Sequence, residues 1–261
     1  MSFAELIAGA ESREDGLALA VPETWLQGRT AYGGYSAAVA LAAAVKVGGE
    51  GLPPLRSAVV SFVGPAYGTL EVRARVLRRG KNAMWIGAEL TREGEVTATA
   101  TFVFMGPVES ALHLNDCPPP AGFNLPEVGA NYKTHPLMPV FLRENFEARF
   151  AVPKSAEKQP ELCWWVRLKQ REGLDPMSEL LLIGDALPPG VLPLLGAGVP
   201  VSSMTWQVNL LTPAPISRDG WFMLRSRGDY AEKGCSSQTM GIWNADGAPV
   251  ASGMQSVAMF G

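Results

Sequence analysis

Asp185 closes an apolar run, Leu180-Leu181-Leu182-Ile183-Gly184, and is followed by Ala186-Leu187-Pro188. A carboxylate flanked in this way can be partly desolvated, which raises its pKa and suits it to general-base work. The competing reading is a helix end that turns its acid out to solvent, where charged side chains are usually found. Ser203 opens the segment Ser203-Met204-Thr205-Trp206-Gln207-Val208-Asn209-Leu210. Strict alternation puts Ser203, Thr205, Gln207 and Asn209 on one face of a strand and Met204, Trp206, Val208 and Leu210 on the other. Gln255 interrupts a last apolar segment from Val250 to Phe260. It is either a long amide introduced for a purpose or an ordinary surface glutamine. What these residues offer together is a carboxylate and neutral polar groups in apolar settings.

Other chemistries find little footing. The chain has two histidines, His113 and His135, and neither sits beside a serine or cysteine elbow. No GxSxG, HExxH or GxGxxG motif occurs, so nucleophilic Ser-His-Asp catalysis, a zinc centre and a phosphate-cradling loop lack support. The three cysteines, Cys117, Cys163 and Cys235, are scattered and without CxxC spacing. That pattern argues against a disulfide framework and fits a reducing cytoplasm.

The elements that must carry these residues are written nearly twice. A strand from Leu55 runs into the corner Ser61-Phe62-Val63-Gly64-Pro65. Strands at Leu70–Arg79 and Ala83–Arg92, a turn at Glu93-Gly94 and the alternating run Thr97–Phe104 follow. The second half repeats the order: Met204–Leu211, a Thr212-Pro213 corner, Trp221–Arg227, Gln238–Asn244, a turn at Asp246-Gly247, and Val250–Phe260. Gln255 falls where the first copy has Ala100 or Thr101. A helix is expected before each set of strands, from Ser36 to about Val47 and from Pro176 to Ile183. The first is apolar almost all round and stopped by Gly48-Gly49; the second has its proline at the first turn, where a missing N–H is harmless. Pro188, Pro189 and Pro193 bar a regular continuation beyond Asp185. Period-two strands joined by hairpin turns imply antiparallel pairing, and helix plus meander is an α+β pattern. The seam between duplicated units is a natural place for a site.

Length and composition narrow the function further. The 261 residues suffice for one large core or two small domains, and the formal net charge of −3 carries no block of like charges. Nucleic acid is therefore not an expected partner. The N-terminus meets acidic residues early and lacks a basic segment, and the Ala-rich run is too short to span a bilayer, so no membrane association is expected.

These features together resemble the acyl-CoA thioesterase II family, whose chains fold as a double hotdog. The resemblance is carried by Arg29-Thr30-Ala31-Tyr32-Gly33-Gly34, Phe62-Val63-Gly64-Pro65, Val76-Leu77-Arg78-Arg79-Gly80-Lys81, Gly184-Asp185, and Asp246 through Gln255. It implies an α+β double hotdog, two antiparallel sheets each wrapped around a central helix, in one chain. The N-terminal hotdog would span 1–110, a Pro-rich connector 111–144, and the C-terminal hotdog 145–261. The family's catalytic Gln falls on Gln255 and its Asp on Asp185. Its hydroxyl residue, usually Thr, falls on Ser203 when counted back from Pro213, with Thr205 as the rival position. The implied activity is hydrolysis of acyl-CoA thioesters by Asp-activated water, with no cofactor beyond the coenzyme A of the substrate. Gly33 and Gly34 would offer backbone N–H groups to the substrate at a helix start. Arg78, Arg79 and Lys81 are candidates for the coenzyme A phosphates, or simply a solvated hairpin end. A hydratase would want an Asp–His pair, which the positions of His113 and His135 do not favour. A non-catalytic acyl-CoA-binding or assembly protein is the other alternative. A homodimer or larger homo-oligomer is expected.

Overall fold

The alternating segments become long, paired strands in the computed structural model, which describes residues 1–132, 138–153, 157–196 and 198–260. His135 lies outside the described residues. In the first half a capped helix α1 (Phe3–Ala8) precedes a short hairpin of β1 (Glu11–Arg13) and β2 (Gly16–Ala20). A two-stranded ribbon, β3 (Leu26–Gln27) and β4 (Thr30–Ala31), leads into the long helix α2 (Gly33–Gly48). The meander β5 (Leu55–Phe62), β6 (Thr69–Arg79), β7 (Ala83–Arg92) and β8 (Glu95–Met105) follows. Glu93 and Gly94, both at positive φ, make the tight turn between β7 and β8, a conformation a glycine supplies readily.

The second half opens with α3 (Val140–Asn145), β9 (Phe146–Phe150), β10 (Glu161–Leu168) and α4 (Pro176–Gly184). Asp175 caps α4, accepting hydrogen bonds from the N–H groups of Met177 and Ser178 at 3.0 Å each. The closing strands are β11 (Val201–Leu210), β12 (Phe222–Glu232), β13 (Cys235–Asn244) and β14 (Pro249–Met259).

The two sheets implied by the resemblance are in fact one. All pairs are antiparallel, and β5 bonds β11 edge to edge, giving the twelve-stranded order β1-β2-β6-β7-β8-β5-β11-β14-β13-β12-β10-β9. The strands that enter the Pro corners thus form the seam. Each otherwise would have been an open edge, and their mutual pairing satisfies both.

α2 lies against β2, β6, β7 and β8, and α4 against β10, while the two helices also pack on each other. Ala37, Ala38, Ala40, Ala43 and Ala44 are buried along α2, and their small side chains permit contact with sheet and helix on several sides at once. One apolar cluster accordingly runs through both halves, from Phe3 and Leu6 to Ile242 and Ala251. A smaller cluster gathers Trp165 of β10, Met223 of β12, Trp243 of β13 and Trp221, which directly precedes β12. The connector reaches it: Trp165 Nε1 donates to the Asn124 carbonyl at 2.7 Å and Trp243 Nε1 to the Cys117 carbonyl at 2.9 Å. No helix among the described residues is long and apolar enough to cross a membrane.

Candidate active site

Helix α4 ends at Gly184, and Asp185 is its C-cap. Gly184 is small because the Trp206 ring lies against it; a Cβ there would come within 2.9 Å of that ring. The chain then delivers the Asp185 carboxyl to the first turn of α2. A Cβ on Gly33 would collide with Asp185 Oδ2 and with the Phe62 ring. A Cβ on Gly34 would meet the Tyr32 hydroxyl at 2.7 Å and the Leu181 carbonyl at 2.8 Å. Both glycines therefore exist for close approach. Gly34 donates its backbone N–H to Asp185, and the positive end of α2 faces a negative group.

On the other side Gln255 Nε2 donates to Asp185 Oδ1. Part of Asp185 reaches solvent, but burial of its carboxyl pushes the pKa up to about 7. The hydrogen bonds from Gln255 and Gly34 favour the charged form and oppose that rise. Of the two sequence readings for this acid, withdrawal from water is the one observed. Tyr32 is held nearby, its hydroxyl donating to the Leu182 carbonyl at 2.8 Å and its ring stacked on Phe141 at 4.0 Å. Burial and then the Asp185 charge raise the Tyr32 pKa, so its hydroxyl stays protonated.

Gln255 is buried, not at the surface, and so is its cross-strand neighbour Gln238 on β13. Gln238 Nε2 donates to Gln255 Oε1 at 2.6 Å, and the Gly190 N–H donates to Gln238 Oε1 at 2.8 Å. Gln238 was not anticipated from the sequence. Its signal is faint: an amide at an inward position of an otherwise alternating strand, recognisable only once its register with Gln255 is known.

The strand-face assignment of β11 needs correction. A bulge between Ser203 and Thr205 breaks the alternation, so Ser203 pairs with Val257 while Thr205 pairs with Ser256 and Trp206 with Gln255. Directly paired residues share a face. Ser203 thus joins Val257, Gln255 and Trp206 on the inner side, and Thr205 is exposed on the outer side. Thr205 is accordingly removed from the site. Ser203 does not open the strand either, which starts at Val201.

The first-half counterpart of Gln255 also shifts. Counted from the matching turns at Gly94 and Gly247, it is Phe102, paired with Ile86 as Gln255 is with Gln238, rather than Ala100 or Thr101. Both residues of the first pair are buried and apolar. The duplicated fold holds a polar pair in one copy only.

Arg79 reaches the Gly48 carbonyl at 3.2 Å, at the C-terminal end of α2. Asp185 sits at the N-terminal end, about 24 Å away along a 16-residue helix. Arg78, Arg79 and Lys81 are therefore not brought to the carboxylate. His113 lies exposed in the segment after β8. Among the described residues no His, Cys, Asp and Glu cluster could hold a metal ion.

An antiparallel sheet packed on two buried helices is the architecture of a hotdog-type protein. Residues 21–105 match the acyl-CoA thioesterase N-terminal domain and residues 115–259 the acyl-CoA thioesterase C-terminal domain, and the chain belongs to that family. It is a thioesterase. No curated protein matches the sequence. Among solved structures it resembles a hot dog fold protein of unknown function from Alicyclobacillus acidocaldarius, at 22% identity and a TM-score of 0.86, over 99% of this chain and 98% of that one. It also resembles the acyl-CoA thioesterase II TesB2 of Mycobacterium marinum, at 17% identity and 0.78 over 98% and 97% of the two chains. A third similar structure is the tesB protein of Mycobacterium avium subs paratuberculosis, at 16% identity and 0.75 over 99% of each.

Proposed function

We propose that this protein hydrolyses acyl-CoA thioesters with a water molecule activated by Asp185. The observation that carries the reading is the Asp185 carboxyl held between the Gln255 amide and the first turn of α2, with a pKa near neutrality. A base of that pKa is ionised enough to accept a proton at pH 7 and basic enough to take one from water as it attacks.

In the proposed reaction, water held between Asp185, Ser203 and Gln255 adds to the thioester carbonyl carbon while Asp185 accepts its proton. The developing oxyanion is received by the N–H of Gly33, which at the first helical position has no partner within α2. Collapse of the tetrahedral intermediate breaks the carbon–sulfur bond. The proton on Asp185 goes to the departing sulfur, yielding free acid and coenzyme A. Fixed dipoles replace bulk water around the reacting centre, and no covalent enzyme intermediate is needed. The Gly34 N–H is committed to Asp185, so of the two glycines only Gly33 keeps the substrate role. We place the protein in the cytoplasm, in keeping with its three free cysteines.

Thiol release from acyl-CoAs of graded chain length, measured for the native chain beside Asp185→Asn, tests the reading. Release that disappears in the variant supports it, and the length profile names the acyl class. Turnover surviving in Asp185→Asn would exclude Asp185 as the base.

A further inference from the structure

Between the Gly190 backbone and the Asp185 carboxylate stand two buried side-chain amides in series. The Gly190 N–H donates to Gln238 Oε1 at 2.8 Å, Gln238 Nε2 donates to Gln255 Oε1 at 2.6 Å, and Gln255 Nε2 donates to Asp185 Oδ1. The Gly190 end of this chain has fixed polarity, and the Asp185 end accepts whenever the carboxyl is ionised. A backbone N–H can only donate, and an ionised carboxylate can only accept. Only one orientation of both amides satisfies every link, with each NH2 group pointing toward Asp185.

Each link is also pinned in place. Gly190 follows Pro188 and Pro189, and a proline nitrogen carries no hydrogen to donate. A Cβ on Gly190 would approach the Gly228 nitrogen at 2.6 Å and the Ser226 carbonyl at 2.7 Å, so only glycine lets the loop press onto β12 here. Gln238 is fully buried and Gln255 nearly so, which keeps bulk solvent from serving as an alternative partner for a flipped Gln238 amide. A flip of Gln238 alone would set its NH2 against the Gly190 N–H. The counterpart pair, Ile86 and Phe102, shows that this part of the fold needs no polar groups for packing. Burying two amides costs free energy unless they are hydrogen-bonded, and the second copy meets that condition with a relay that packing does not require.

From this arrangement we infer that Gln238 is a positioning residue, which locks the Gln255 amide with its NH2 toward Asp185 and so holds the carboxylate in its ionised, water-accepting form. The inference rests on the proposed role of Asp185 and extends it to a residue that touches neither substrate nor base. Without Gln238, the Gln255 amide is free to rotate and present its oxygen to Asp185. An oxygen facing a carboxylate disfavours the charged form, so the carboxyl would titrate at higher pH.

The test replaces Gln238 by Met, which keeps length and removes both polar ends, and by Leu, an aliphatic like the Ile86 of the first copy. Three readings are taken: kcat and KM for acyl-CoA hydrolysis, the titration of the Asp185 carboxyl carbon by NMR, and hydrogen exchange of the Gln255 side-chain amide in the native chain. The expected result is a fall in kcat of about tenfold to a hundredfold with KM nearly unchanged. The Asp185 titration moves to higher pH, and the native amide exchanges far more slowly than that of an exposed glutamine. An unchanged kcat and an unchanged titration in a folded variant would overturn the inference. So would rapid exchange of the Gln255 amide, a reading that requires no variant to fold. The titration and exchange report on the relay whatever reaction is catalysed. Activity surviving in Asp185→Asn, by contrast, would remove the proposed role of the base while leaving those two readings to decide about Gln238.

Discussion

At Asp185 two opposing effects decide the chemistry: burial raises the pKa to about 7, and donors from Gln255 and Gly34 keep the charged form accessible. Replacement by Asn should therefore lower thiol release by about a hundredfold to ten-thousandfold, the usual worth of a positioned base. In the native chain kcat should fall as pH drops through about 7, because the carboxyl is then protonated. Stability should run the other way. Between the ordinary carboxyl value of 3.8 and about 7 the folded state holds a proton that the unfolded state releases. Folding free energy is thus lost as pH rises across that window, by an amount on the order of a few kcal/mol. Asn at 185 carries no charge to bury, so urea denaturation at pH 8 should find the variant no less stable than the native chain; a large loss would show that the carboxylate is net stabilising. Ser203 gives a second test. Ser203→Ala should lower kcat about tenfold or more while Thr205→Ala changes it less than twofold, a contrast read in the same thiol assay. Asp185 and Gln255 were legible in the sequence because a carboxylate after an apolar run and an amide in an apolar strand both break the local pattern. Gln238 was not, because what gives it a role is Gly190, 48 positions away, reached only through the fold.

At the scale of elements, α4 is the piece that aims Asp185. It has nine residues, too few to be stable alone, and it is fixed by its cap at one end and by packing along its length. Asp175→Ala removes the acceptor for two N–H groups and should cost about 1 kcal/mol, seen as a lower denaturant midpoint with an unchanged slope. A loss near zero would mean that burial of Leu180 through Ile183 alone sets the helix. Most strand limits could be read from the period of two: β7 occupies the expected span, and the other long strands of the two meanders differ by a few residues. The exceptions have physical causes. The hairpin of β1 and β2 is short, and its first strand, Glu11–Arg13, is polar and exposed, leaving no alternation to detect. α2 begins a turn earlier than expected, at Gly33, because tertiary contact with Asp185 outweighs the poor helix propensity of two glycines. The bulge in β11 adds one residue without any composition signal, yet it turns Ser203 and Thr205, expected on one face, to opposite faces.

For the whole molecule the decisive feature is the bond between β5 and β11. The family resemblance implies two hotdogs, each with its own sheet, but five paired positions from Ser57 to Ser61 join them into one. Val60 and Trp206 are partners across this seam, both buried, and the apolar cluster passes beneath them from α2 to α4. Neither half can open without exposing the seam edge and the helix–helix contact of the other. Unfolding should therefore be a single cooperative event, with one calorimetric transition and with far-ultraviolet circular dichroism and tryptophan fluorescence falling together. Val60→Ala, a first-half change, makes the point sharper. It should cost about 2 kcal/mol and lower the midpoint seen by both probes equally, including the signal of Trp164, Trp165 and Trp206 in the second half. Two separate transitions, or a midpoint shift confined to one probe, would mean that each hotdog folds by itself and that the seam is a docking contact. Because Gly33 and Gly34 come from one half and Asp185 and Gln255 from the other, a molecule that unfolds as one unit keeps base and helix start together until both are lost. Activity should then disappear at the same denaturant concentration as structure, a coincidence that parallel measurement of thiol release and circular dichroism would reveal.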